Sequence, residues 1–271
     1  MAELQPSGWL NIGPSRLEYR MIAHGPGHGP TLVLLHEGLG SVGQWGTFPD
    51  KLAEATGADV FVYSRAGYGG SSPAALPRPL SYMHDEAREV LPQLLDRIGF
   101  RRGLLVGHSD GASIAAIYAG SIEDHRIRGL SLIAPHFVVE DVSIASIEGA
   151  KAAYERGDLK PRLARWHKHV DIAFRGWNDA WLDPAFRSWD ISGELSYIRV
   201  PVQIVQGELD PYGTKRQIDI AQEECYCPVD VTLLPGVGHA PHREAAEVAL
   251  RAVADFVNRV LKIHGEGTMA Q

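Results

Sequence analysis

The chain reads as an α/β protein: a mostly parallel, twisted sheet of eight strands flanked by helices, interrupted once by an inserted helical segment. Three observations predict this. Short apolar, β-branched runs alternate with stretches of helical periodicity, the pattern of a parallel sheet covered on both faces. Several of the runs are apolar at consecutive positions rather than at every second one, as strands buried on both faces are. One long stretch, residues 137–197, contains no convincing strand and is rich in helix formers and aromatics.

In chain order, extended segments are expected near Trp9–Ile12 and Arg16–His24, followed by a Gly/Pro turn at Gly25–Pro30. Thr31–His36 (TLVLLH) is a continuous apolar run and so a buried strand, and Val60–Ser64, Gly103–Val106, Leu130–Ala134, Val202–Gln206 and Val231–Leu234 read alike. Residues 71–80 (SSPAALPRPL) form a Pro-rich loop. Tyr82–Ile98 places Ala87, Val90, Leu91, Leu94, Leu95 and Ile98 on one helical face. Gly111–Ala119 is small and apolar all round, which suits a buried helix, and Ala245–Val260 is amphipathic. The domain reading is a core in two parts, residues 1–136 and 198–271, with a helical cap inserted at 137–197. The tail Gly265–Gln271 is expected to fray.

Composition narrows the function classes. The 271 residues carry 26 Lys plus Arg against 33 Asp plus Glu, so the net charge is 26 − 33 = −7. An acidic chain with no basic run is a poor partner for nucleic acid or an anionic membrane, since phosphate binding needs clustered positive charge. No apolar run approaches the ~20 residues of a membrane span, and the first residues show no signal-peptide pattern. A cytoplasmic enzyme acting on a small molecule is the expectation, with the oligomeric state left open. Cys225 and Cys227 stand one residue apart and are expected as free thiols. The 12 histidines invite a metal reading. His167 and His169, two apart, would point to different helix faces, HExxH is absent, and neither a metal nor a cofactor is expected.

The sharpest motif is Gly107-His108-Ser109-Asp110-Gly111, a G-x-S-x-G placed after a strand and before a small-residue helix. A serine there sits on a tight strand-to-helix turn with its hydroxyl projecting from the sheet edge, and the N–H of the next residue faces the helix N-terminus, where negative charge is stabilised. A serine nucleophile needs a base, and the base an orienting carboxylate. Glu208 and Asp210 follow the Val202 strand; Asp210 is the better acid and Glu208 the runner-up. His239 follows the last strand in Gly236-Val237-Gly238-His239, while His242 reads as a loop or helix-start residue.

Taken together, LLHEGLGS with Trp45, YSRAGYGGSSP, GHSDG, GELD and GVGHAPHREA come in an order and at strand ends that resemble the α/β-hydrolase superfamily, over almost the whole chain. The resemblance implies the α/β-hydrolase fold, a Ser109–Asp210–His239 triad, and an oxyanion hole made by the backbone N–H groups of Gly38 and Asp110. It implies hydrolysis of a carboxylic ester through an acyl-enzyme. The family's other chemistries leave alternatives: carbon–carbon bond or enol-lactone hydrolysis in aromatic degradation, perhydrolase or cofactor-free oxygenase activity, and a non-catalytic receptor.

Two residues depart from the family pattern. Glu37 stands where a glycine usually follows the strand-end histidine, and a carboxylate aimed at an oxyanion would oppose catalysis. Glu37 is therefore expected to point away and pair with Arg65. Asp110 follows the nucleophile; its side chain is expected to cap the following helix or, alternatively, to help select substrate. His36 and His108 are expected in structural hydrogen bonds. The substrate pocket is expected to draw on Glu37, His136, Phe137, Trp166 and Trp177, aromatic walls that suit an apolar or aromatic acyl group.

Overall fold

The computed structural model describes residues 4–24 and 29–266. The turn expected at 25–30 and the tail expected at 265–271 therefore fall mostly outside the described residues. All eight expected strands are present: β1 (Ser7–Ile12), β2 (Ser15–Ile22), β3 (Thr31–Leu35), β4 (Asp59–Tyr63), β5 (Gly103–His108), β6 (Ile127–Ile133), β7 (Val202–Gly207) and β8 (Val229–Leu234). They form one sheet in the order β1-β2-β4-β3-β5-β6-β7-β8. The β1–β2 and β2–β4 pairs are antiparallel and the rest are parallel.

The consecutive apolar residues have a direct structural meaning. Val33 and Leu35 enter the core on one face of the sheet, while Leu32 and Leu34 enter the core on the other. Phe61 and Tyr63 divide from Val60 and Val62 in the same way, and Leu105 from Leu104 and Val106. Strand side chains alternate between faces, so a strand with helices on both sides must be apolar throughout. One face is covered by α1 (Phe48–Thr56) and α11 (Ala246–Glu266). The other is covered by α2 (Tyr82–Asp85), α3 (Leu91–Arg97), α4 (Asp110–Ser121), and the helices between β6 and β7.

Helix α4 is buried from Asp110 to Tyr118, which is why its sequence shows no polar stripe. The single helix expected over Tyr82–Ile98 is instead interrupted. A π-helical turn, Glu86–Val90, separates α2 from α3. Pro92 follows at once; it has no N–H to give to the preceding turn and its ring crowds that turn's carbonyl, so the backbone widens there.

Between β6 and β7 lie α5 (Asp141–Arg156), α6 (Leu159–Leu163), α7 (Val170–Leu182), a 3₁₀ turn Pro184–Ser188, and α8 (Ser192–Leu195). The two ends of this segment meet: Val138 bridges Asp190, and Ile191 N–H donates to Phe137 C=O at 2.8 Å. After β7 come α9 (Arg216–Glu224) and, after β8, the short α10 (Pro241–Glu244). No helix among the described residues is long and apolar enough to cross a membrane.

Candidate active site

The loops after β3, β5, β6, β7 and β8 converge at the C-terminal edge of the sheet, where open α/β sheets place their ligands. Ser109 occupies the turn between β5 and α4 with φ 53° and ψ −121°, a strained conformation for a residue with a side chain. The reversal is tight enough that a methyl group on Gly107 would overlap the carbonyl of Gly111, and one on Gly111 the carbonyl of Leu35.

Ser109 Oγ lies 2.9 Å from His239 Nε2. His239 Nδ1 lies 2.8 and 2.9 Å from the two carboxylate oxygens of Asp210. Asp210 is itself oriented: Oδ2 accepts from Gln206 Nε2 at 2.7 Å and Oδ1 from Tyr212 N–H at 2.8 Å. Burial pushes its carboxyl upward, but the hydrogen bond and charge of His239 outweigh this and hold it below the usual carboxylate range. Glu208 is exposed and takes no part. Gly38 and Asp110 line the same cavity, and among the described residues neither backbone N–H is paired with a protein acceptor.

That cavity has a volume of about 160 Å³. Of the residues expected in the substrate pocket, Glu37, His136 and Trp177 line this cavity, and Phe137 and Trp166 do not. Phe137 is wholly buried, its N–H bonded to Gln217 Oε1 at 2.7 Å, so it faces the core beneath the site. Trp166 is 46% exposed and rests over Gly43 on the outer surface. The walls that sequence reasoning missed are Leu39, Ile147, Trp181 and Tyr212. Of these, Tyr212 had a signal, standing two residues after Asp210 in the same turn.

The expectation for Glu37 needs correction. Its carboxylate pairs with Arg243 and, at 3.2 Å, with His108 Nδ1, not with Arg65. The Arg65 guanidinium is occupied by two main-chain carbonyls, of His36 at 2.5 Å and of Glu37 at 3.0 Å. Burial alone would raise the Glu37 carboxyl; the His108 hydrogen bond and the charges of His108 and Arg243 instead hold it well below the usual range.

Asp110 does not cap α4 with its side chain: Oδ1 has no partner among the described residues. Its carboxylate turns inward and accepts from Tyr82 O–H at 2.5 Å, and Tyr82 in turn accepts from Trp181 Nε1 at 3.0 Å. Burial raises the Asp110 carboxyl above its ordinary value. The residue after the serine thus anchors a tryptophan of the cavity wall.

Two of the remaining histidines are fixed through both ring nitrogens. His36 Nε2 accepts from Arg65 N–H at 3.0 Å, so its Nδ1–H donates to Glu37 C=O at 2.6 Å. His167 accepts from Gly69 N–H at 3.0 Å through Nδ1, and its Nε2–H donates to Leu39 C=O at 2.9 Å. His136 is buried beside the site, and burial together with His239 pushes it down to about 3. Among the described residues no group of three or more His, Cys, Asp or Glu side chains is placed to hold a metal ion.

Comparison with known proteins follows the same outline. The model of the alpha/beta hydrolase family matches residues 32–252. The chain is 27% identical over 244 residues to the dihydrolipoyllysine-residue acetyltransferase component of the acetoin cleaving system of Pseudomonas putida, covering 85% of this chain and 64% of that protein. This chain therefore spans a little under two thirds of that relative. Among solved structures it is similar to a membrane phospholipase A described as a bacterial virulence factor, with a TM-score of 0.76 and 20% identity over 94% of this chain and 86% of the other. It is also similar to the enol-lactonase of Burkholderia xenovorans LB400, with a TM-score of 0.70 and 18% identity over 92% and 99%. At these identities the two structures speak to the fold.

Proposed function

The chain belongs to the alpha/beta hydrolase family, and from that premise we propose that it is a serine hydrolase cleaving a carboxylic ester through an acyl-enzyme. The observation that carries this reading is the unbroken chain Ser109–His239–Asp210, with Gly38 and Asp110 lining the same cavity. His239 takes the proton of Ser109 as Oγ attacks the ester carbonyl. Asp210 keeps the imidazole proton on Nδ1 and stabilises the imidazolium that forms. The N–H groups of Gly38 and Asp110 bind the oxyanion, where loss of one donor costs roughly 2.7–4 kcal/mol of transition-state stabilisation. His239 then gives the proton to the leaving oxygen, and water, deprotonated by His239, releases the acyl group. We read residues 137–197 as a cap whose Trp177 and Trp181 close the acyl side of the cavity.

The aromatic walls Trp177, Trp181 and Tyr212 also favour a second reading. An enol lactone is a cyclic ester, and the same steps would open it, as the likeness in fold to an enol-lactonase accommodates.

The test is labelling and turnover. Wild-type protein should react with a fluorophosphonate at Ser109 and hydrolyse p-nitrophenyl acetate with a burst followed by a steady state. Ser109→Ala should abolish both. Labelling elsewhere in that variant would reassign the nucleophile. A burst with no steady state would indicate a ligand-binding protein on the same fold. Faster turnover of an enol lactone than of simple esters would select the second reading.

A further inference from the structure

Besides the chain that orients the His239 ring, the structure holds a second polar chain that fixes the His239 backbone, and Glu37 is its centre. One carboxylate oxygen of Glu37 pairs with Arg243 and the other with His108 Nδ1 at 3.2 Å. On its far side, His108 Nε2 lies 2.8 Å from the carbonyl oxygen of His239. His108 is 1% exposed and immediately precedes the nucleophile. The peptide groups on either side of His239 are held too: the Glu244 carboxylate accepts from Gly238 N–H at 2.7 Å and from Ala240 N–H at 2.9 Å.

Glu37 also carries the peptide leading into Gly38, the proposed oxyanion donor. Its own carbonyl accepts from Arg65 Nη2 at 3.0 Å and from Gly40 N–H at 3.0 Å. A single side chain therefore ties the loop after β3 to the last residue of β5 and to α10, and through His108 it reaches the carbonyl of His239 in the loop after β8. These segments bring the proposed oxyanion donor, nucleophile and base. A glycine at position 37 would leave Arg243 and His108 Nδ1 without this partner. The negative charge close to the oxyanion site, unfavourable by itself, is met by the guanidinium of Arg243.

We propose that Glu37 is a positioning residue for the reaction, a carboxylate clamp that sets the oxyanion loop and the His239 backbone in register with Ser109. The inference rests on the serine-hydrolase reading above. Reaction geometry is demanding: a misplacement of about 1 Å in the reacting groups can cost on the order of 100-fold in rate. Removing an interaction that acts only in the transition state lowers kcat and leaves KM in place.

The experiment compares wild type, Glu37→Gly, Glu37→Gln and Arg243→Ala on p-nitrophenyl acetate, with rates normalised to sites titrated by a fluorophosphonate and with Tm measured for each. Glu37→Gly should lower kcat by roughly 10–100-fold with KM changed by less than about two-fold. The labelling rate of Ser109 should fall in parallel. Glu37→Gln, nearly isosteric, should rescue a large part of the loss, and Arg243→Ala should fall between. If wild type is labelled and turns over while Glu37→Gly and Glu37→Gln both keep kcat within about two-fold, with only Tm lowered, Glu37 is purely structural and the inference fails while the serine-hydrolase reading stands. Should Glu37→Gly not fold, Arg243→Ala is read in its place: a kcat within about two-fold of wild type overturns the inference, and a several-fold lower kcat at unchanged KM supports it. Wild type that is neither labelled nor active overturns the underlying reading, and this inference with it.

Discussion

At the scale of single residues, Trp177 takes, under the proposed acyl-enzyme mechanism, the role of limiting the acyl group. Its ring lies so close to Gly38 that a methyl group there would overlap it, and only 7% of the residue is exposed. The cleft it lines measures about 160 Å³ and is open to solvent, so short acyl groups should be turned over faster than long ones. Trp177→Ala should raise kcat/KM for the octanoyl relative to the butyryl nitrophenyl ester by about ten-fold or more; an unchanged ratio would place the acyl group elsewhere. Ser109, Asp210 and His239 could be found from sequence because each follows a strand in a short motif that only a few backbone shapes permit. The partner of Glu37 could not. Two arginines were available, and the choice depended on whether main-chain carbonyls had already claimed the Arg65 guanidinium, which they had. Likewise Trp166 and Trp181 look equivalent in a helical segment. Only packing distinguishes the one exposed over Gly43 from the one bonded to Tyr82.

At the scale of elements, the turn from β5 into α4 works because α4 packs its first residues directly on the end of β3. Gly111 is the point of closest approach, with the Leu35 carbonyl where a Cβ would sit. Gly111→Ala must push α4 away from the sheet, and overpacking of this kind costs about 1–3 kcal/mol or more. Its unfolding midpoint in urea should fall accordingly, and any folded protein should have lost activity with the displaced Asp110 N–H. Gly149 is the contrast: it is exposed within α5, and a methyl group added there would meet nothing within 4 Å. Gly149→Ala should stabilise by about 0.4–1 kcal/mol. If Gly111→Ala proves as mild as Gly149→Ala, the tight packing of the turn is wrong. The strands were legible because two-sided burial forces an apolar residue at nearly every position. Helix ends were less so, since they depend on local backbone events. Pro92 was visible in the sequence, but not that the backbone would accommodate it by a widened turn at Glu86–Val90 rather than by ending the helix.

At the scale of the whole molecule, the histidines link stability to pH. His36, His136, His167 and His242 are buried, and in each case burial is the largest cause holding the ring below the ordinary histidine value. They are held neutral in the folded state. The unfolded chain protonates them as pH falls through about 6.5, so below that pH it binds more protons than the folded chain and stability declines. Each such group contributes up to about 1.4 kcal/mol per pH unit once the pH is well below 6.5. Glu86 and Asp110 act in the opposite sense. Burial raises both carboxyls, so their contribution is present at low pH and is lost as pH rises through their folded values. Glu37 and Asp210, held below the usual carboxylate range, lose their contribution only at more acidic pH, outside the window from about 7 to about 5. Four imidazoles against two carboxylates leave a net loss on acidification. At constant ionic strength Tm should therefore fall by roughly 5–10 °C between about pH 7 and about pH 5, taking about 2–4 °C per kcal/mol for a chain of this size. A Tm that holds level or rises over that range would mean that the buried rings take up protons without leaving their sites. Burial of neutral His36, His136, His167 and His242 would then not govern the acid limb of stability.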